Sequence, residues 1–154
     1  YDKIEYNPDL GDAKKWDFKN YTPQVVIVGI GQNDNHPEDY MAEDYSSEKA
    51  RHWRAEYKKF IEKLHKIYPK AQIICATTIL RHDASWDRAI DEVCNTIREE
   101  SYSENSRQGK PWVHHFLYTN NGDGTDGHIR IPEAEKMSDE LAAFIRSMGD
   151  DIWA

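Results

Sequence analysis

This chain has little cysteine, no excess of positive charge and no long apolar run, and each shortage removes a class of function. Two cysteines, Cys75 and Cys94, in 154 residues are too few for a disulfide framework. Lys and Arg number 20 against 28 Asp and Glu, a net charge of −8, so nucleic acid and an anionic membrane are poor electrostatic partners. No apolar stretch nears the ~20 residues of a membrane span, and mean hydropathy is −0.90. The chain opens on Tyr1, with neither Met nor a signal peptide, which suggests a processed or cleaved piece. Aromatic residues are plentiful, with five Trp and nine Tyr. Amphipathic packing accounts for most of them, and a sugar-facing surface is the other use.

A chain of this length supports one domain with a core, burying roughly 70% of its unfolded surface. After a polar, turn-rich start, residues 24–29 read as a strand. The run Val25-Val26-Ile27-Val28 between Pro23 and Gly29 has the continuous apolarity of a strand buried on both faces of a parallel sheet. A polar loop spans 31–45. A helix over 47–68 follows, with Ala50, Trp53, Tyr57, Phe60, Ile61, Leu64 and Ile67 stepping by three and four until Pro69 stops it. A second strand covers 71–77. A second helix carries Trp86, Ile90, Val93, Cys94 and Ile97, and a loop is expected over 101–109. The third strand covers 112–118. The last helix starts near Pro132, buries Ala134, Met137, Leu141, Phe144, Ile145 and Met148, and ends at Gly149. Repeated strand–helix units imply an α/β fold with a parallel sheet and right-handed crossovers.

Ligands of such sheets sit beyond the carboxyl ends of the strands. The first of these ends holds Gly31-Gln32-Asn33-Asp34. The second holds Thr77, Thr78, Arg81, His82 and Asp83, and the third holds Asp123, Asp126 and His128. An Asn with a free amide at a strand end is suited to donate to an oxyanion, a contribution of roughly 3–4 kcal/mol in acyl transfer. A His with carboxylates two and five residues before it is suited to act as an oriented general base. Taken singly, Asn33-Asp34 is also an ordinary turn and His128 an ordinary loop histidine. Both on loops at one end of a sheet point to a site.

Gly31-Gln32-Asn33-Asp34 after a buried strand resembles the GxND block of the SGNH (GDSL-type) hydrolases. Asp126-Gly127-His128, with Met137 in the final helix, resembles their last block. The Asp-x-His spacing is similar to that of family 2 carbohydrate esterases, which deacetylate xylan and related sugars. Thr125 stands where the wider family has its Asp, and Ile129 where it often has Pro. The resemblance implies a three-layer α/β/α flavodoxin-like fold of about five strands. This chain supplies the last three parallel strands and their helices, with residues 1–154 as the C-terminal portion of one SGNH domain. It implies that Asn33 is an oxyanion donor and His128 the base, oriented by Asp126 or by a backbone carbonyl. It implies a serine esterase acting on an acetylated sugar or polysaccharide, secreted or periplasmic, without metal or organic cofactor.

The Gly-Asp-Ser turn of that family is missing. None of Ser46, Ser47, Ser85, Ser101, Ser103, Ser106, Ser138 and Ser147 follows a buried strand in such a turn. The nucleophile is therefore expected on a preceding N-terminal segment. A non-catalytic SGNH-like carbohydrate-binding module is the alternative.

Other motifs match less well. Residues 121–125 resemble the DxDGT loop of haloacid-dehalogenase-type phosphatases, but Asn121 stands where the attacking carboxylate belongs. As a calcium loop the same turn has Asp126 in place of Gly and Pro132 in place of Glu. Asp34, His36 and Asp39 lack the spacing of a metal site. His114 and His115, adjacent in a strand, point to opposite faces. Trp86 either stacks on a sugar or begins the buried stripe of its helix.

Overall fold

The computed structural model describes residues 2–3, 15–31, 33–77, 80–104, 110–119 and 128–153. Three parallel strands, β1 (Val25–Val28), β2 (Gln72–Ala76) and β3 (Val113–Phe116), lie in the order β1-β2-β3. Among the described residues four α-helices accompany them: α1 (Tyr40–Glu43), α2 (Glu48–Ile67), α3 (Ala84–Glu104) and α4 (Ile131–Ser147). The expected α/β class, the three strands and the three long helices are all present.

Local chemistry explains the helix ends. Ser47 caps α2 by accepting the Ala50 amide at 3.1 Å, while Lys66 in the last turn complements the carbonyl end of the dipole. Asp83 accepts the Ser85 amide at 2.8 Å where α3 begins. Glu133 reaches back to the Arg130 amide at 3.1 Å ahead of α4. Two boundaries differ from expectation. The loop at 31–45 contains α1, whose first turn is stabilised by the Asp39 carboxylate accepting from Ala42. The helix α3 runs through Ser101, whose hydroxyl donates to the Ile97 carbonyl and so does not break the helix. Residues 105–109 lie outside the described residues.

The central strand is the most buried. Ile73, Ile74, Cys75 and Ala76 are at most 2% exposed, and β2 is paired on both edges. One face of the sheet, through Val28, Ile73, Cys75 and Val113, packs on Tyr57, Ile61 and Leu64 of α2 and on Ile90, Val93, Cys94 and Ile97 of α3. The other face carries Ala76, Phe116 and Tyr118 against Met137 and Leu141 of α4. His114 and His115 do point to opposite faces. His114 meets Phe144 of α4, and His115 faces Asp91 of α3 at 3.3 Å.

β1 departs from the expectation of burial on both faces. Val28 is buried, but Ile27 is 49% exposed, and Ile30 just beyond the strand is 47% exposed. The cause is geometric: α4 packs over the β2–β3 half of its face, through Met137 and Leu141. Only Met137 of the apolar stripe of α4 is fully buried, its other members being partly covered. β1 pairs with β2 alone, and among the described residues no strand occupies its other edge.

Ile73→Ala is expected to destabilise the 154-residue chain by about 2–5 kcal/mol, and Ile27→Ala by less than about 1 kcal/mol. Denaturant unfolding of the two variants checks the difference.

Candidate active site

The parallel order brings three loops to one end of the sheet. The first is anchored at several points. Gly31 has φ +117°, a left-handed conformation that suits glycine, and a Cβ there would stand 3.1 Å from Trp53 Cζ2. The Asp34 amide donates to the Gly31 carbonyl at 3.0 Å, closing a turn that leaves Asn33 exposed. The Asp34 carboxylate accepts the Trp53 indole N–H at 2.9 Å. Asp39 at the far end of the loop accepts the Trp86 indole N–H, also at 2.9 Å. Burial, joined by the charges of Asp34 and Asp39, pushes the Tyr40 phenol up to about 12, so it stays neutral. Tyr45 is held between the guanidinium groups of Arg54 and Arg88 at 4.0 and 4.1 Å, and its hydroxyl donates to Glu92 at 2.5 Å.

The second loop is occupied by structural bonds. Thr77 is 1% exposed and donates its hydroxyl to the Phe116 carbonyl at 3.0 Å. His82 is nearly buried, with Nδ1 2.6 Å from the Leu80 carbonyl and Nε2 2.6 Å from the Asp87 carboxylate. Both ring nitrogens face acceptors, which is the arrangement of an imidazolium. Burial alone pulls its pKa down, but the bonds to Asp87 and Leu80 and the charges of Asp87 and Asp83 outweigh this and hold it above the ordinary value. Thr78 lies outside the described residues.

On the third loop His128 is exposed and stands three residues ahead of α4. Asp126 lies outside the described residues, as does the turn at 120–127 on which the phosphatase and calcium resemblances rest. Asn33 and His128 thus belong to loops at the same end of the sheet. β2 separates their strands, so the strand ends are about 10 Å apart.

Several alternatives resolve differently. Asp34 and Asp39 bind indoles, the His36 ring bonds Asn35, and among the described residues no three metal-ligating side chains cluster. Trp86 is 2% exposed and belongs to the core. The Cys94 thiol is pushed up first by its hydrogen bond with Cys75 and then by burial, so it is held as a neutral thiol in the core. Ser46, Ser47, Ser101, Ser138 and Ser147 are bonded to caps or to carbonyls within helices, and Ser85 is enclosed at the start of α3.

Two clefts flank the sheet. A cleft of about 200 Å3 beside the first loop is lined by Ile30, Asp34, Trp53, Glu56, Tyr57 and Phe60. A larger one, about 320 Å3 and lined in part by Phe18, Pro23, Tyr68 and Ala71, lies at the amino end of the sheet, away from these loops. The sequence marks His82 only as a polar residue of the second strand end and Asp39 only as a member of a poorly spaced metal set, and it gives Trp53 and Asp87 no mark of a site. Asp39 carried a signal, since it stands three residues before an amide it caps; the indole contacts carried none.

No family model matches the chain. The cellulase/esterase CelE of Acetivibrio thermocellus is 27% identical over 137 residues, which is 86% of this chain and 15% of that protein. Among solved structures, an acetyl xylan esterase (Est2A) from the rumen bacterium Butyrivibrio proteoclasticus superposes with a TM-score of 0.73 at 22% identity. It covers 96% of this chain and 44% of that one. A family two carbohydrate esterase from Clostridium thermocellum, in complex with cellohexaose, gives 0.69 at 24% identity, with 96% and 42% covered. The expected resemblance to family 2 carbohydrate esterases, in sequence and in fold, is therefore present. The chain spans less than half the length of each of these proteins.

The stability contributed by His82 is expected to be fully present below its unfolded pKa of about 6.5 and to fade as pH rises through its higher folded value. His65, His114 and His115, which burial holds below the ordinary value, act in the opposite sense: their contribution is lost as pH falls. The difference in unfolding free energy between wild type and His82→Gln should therefore be largest in acid and shrink toward alkaline pH. Paired denaturation curves across pH 5–9 check this.

Proposed function

We propose that residues 1–154 are the C-terminal portion of a single SGNH hydrolase domain, a serine esterase that removes acetyl groups from a carbohydrate ester. The observation that carries the reading is that Asn33 and His128 lie on loops at the carboxyl end of one parallel sheet. The resemblance to carbohydrate esterases supports it.

The nucleophile is a serine on a preceding N-terminal segment, which is the chain's main partner. Two features support this. The serines with described side chains sit in caps, in helices or at the enclosed start of α3. Among the described residues β1 has an unpaired edge and a half-exposed apolar face, a surface that a further strand and helix would cover.

In the reaction His128 takes the serine proton as the hydroxyl attacks the acetyl carbon. Asn33 and backbone N–H groups hold the oxyanion, and the protonated His128 returns its proton to the departing sugar oxygen. Water, activated by the same His, then hydrolyses the acyl-enzyme. Asp126, or a backbone carbonyl, fixes the imidazole tautomer. Every step is acid–base or electrostatic and uses no metal or organic cofactor. Without the preceding segment the chain is inactive. An acetylated polysaccharide is the substrate, which suits a secreted or periplasmic protein. Among the described residues no helix is long and apolar enough to cross a membrane.

A second reading, a non-catalytic carbohydrate-binding module, draws on the relative that holds cellohexaose. The two separate cleanly. In the full-length protein, His128→Ala is expected to abolish p-nitrophenyl acetate hydrolysis while leaving the melting temperature unchanged. Asn33→Ala is expected to lower kcat by about 10²–10³-fold with little change in KM. Unaltered turnover in both variants, or cellohexaose binding without any turnover in the wild type, favours the module.

A further inference from the structure

We infer that Trp53 and Trp86 are positioning residues: their indole N–H groups tie down, through Asp34 and Asp39, the loop that presents Asn33. The inference rests on the oxyanion role proposed above for Asn33.

The loop leaves β1 at Gly29 and reaches α1 at Tyr40, and Asn33 at its tip is exposed. An exposed amide on the eleven-residue loop 29–39 would wander unless the backbone on either side of it were held. It is held at three points. Gly31, two residues before Asn33, lies against both rings: a Cβ there would stand 3.1 Å from Trp53 Cζ2 and 4.0 Å from Trp86 Cε3. Asp34, the residue after Asn33, accepts the Trp53 indole N–H at 2.9 Å. Asp39 accepts the Trp86 indole N–H at 2.9 Å with the same oxygen that takes the Ala42 amide at 3.2 Å, so one carboxylate joins the loop to α3 and starts α1.

The two donors are themselves fixed. Trp86 is 2% exposed and meets Trp53 edge-to-face, with ring centroids 5.2 Å apart at 89°. Tyr57 stacks on Trp53 at 4.8 Å, and Tyr40 meets Trp86 at 5.5 Å. An indole N–H can only donate and an ionised carboxylate can only accept, so each bond has one polarity and is charge-assisted. The rings stand on α2 and α3, which are packed on the sheet, so the loop takes its position from the core. A stacked aromatic pair is otherwise core filling. What exceeds that role is that both N–H groups are aimed at carboxylates of the one loop that holds the oxyanion donor.

The test uses the full-length protein. Trp53→Phe and Trp86→Phe keep a ring and remove the N–H. Asp34→Ala and Asp39→Ala remove the acceptor, while Asp34→Asn and Asp39→Asn retain an acceptor oxygen without the charge. Two readouts are taken: kcat and KM for p-nitrophenyl acetate, and amide hydrogen exchange of residues 29–39 with β2 as the internal reference. The expected result is a fall in kcat of about 10- to 100-fold with KM nearly unchanged in the Phe and Ala variants. Exchange in the 29–39 segment should rise about tenfold while β2 stays protected, and the Asn variants should recover most of both. Unchanged exchange in this segment overturns the inference, as does a loss of kcat that the Asn variants share in full. If Trp86→Phe fails to fold, the Asp34 and Asp39 variants at the surface carry the same test. If the wild type proves to have no esterase activity, the esterase reading fails, and the exchange data still decide whether the indoles hold the loop.

Discussion

Everything in this fold depends on burying β2. Its residues Ile73 to Ala76 are at most 2% exposed, and both of its edges are hydrogen bonded, so it needs a parallel neighbour on each side and helices on each face. β1 and β3 supply the neighbours, α2 with α3 cover one face, and α4 covers the other. Parallel pairing then sends all three carboxyl ends in one direction, which is what gathers the loops of Asn33, His82 and His128 at one end. The same constraint, only half met at β1, leaves Ile27 and Ile30 exposed.

Much of this architecture was legible in the residues. Continuous apolar runs identified the strands, and stripes spaced by three and four identified the helices. The Trp86 stripe was complete, since Trp86, Ile90, Val93, Cys94 and Ile97 are all buried. The short helix α1 was not legible, because four residues are too few to show a period and its signal is one capping carboxylate. The continuation of α3 beyond 101 was hidden because serine reads as a loop residue until its hydroxyl is seen to bond the preceding turn. The exposure of Ile27 was hidden for a different reason. Apolarity reports which surface needs covering, whereas the cover depends on what packs there.

The candidate site divides in the same way. Asn33 and His128 stood out because short polar blocks followed apolar runs. What holds the Asn33 loop did not stand out, since Trp53 and Trp86 have the spacing of ordinary core residues, and only the aim of their N–H groups separates them from that role. The His82–Asp87 pair is a further case: a histidine on a functional loop that serves the fold by binding acceptors at both nitrogens. The two indole bonds alone tie the first loop, at Asp34 and Asp39, to the helices behind it.

The central claim is that Asn33 and His128 serve a nucleophile that this chain does not itself contain. Labelling of the full-length protein with a fluorophosphonate, which reacts with activated serines, followed by peptide mapping, tests it most directly. The account predicts one labelled serine, outside these 154 residues, with labelling lost in His128→Ala. A label on a serine within the chain, or labelling indifferent to His128, would contradict it.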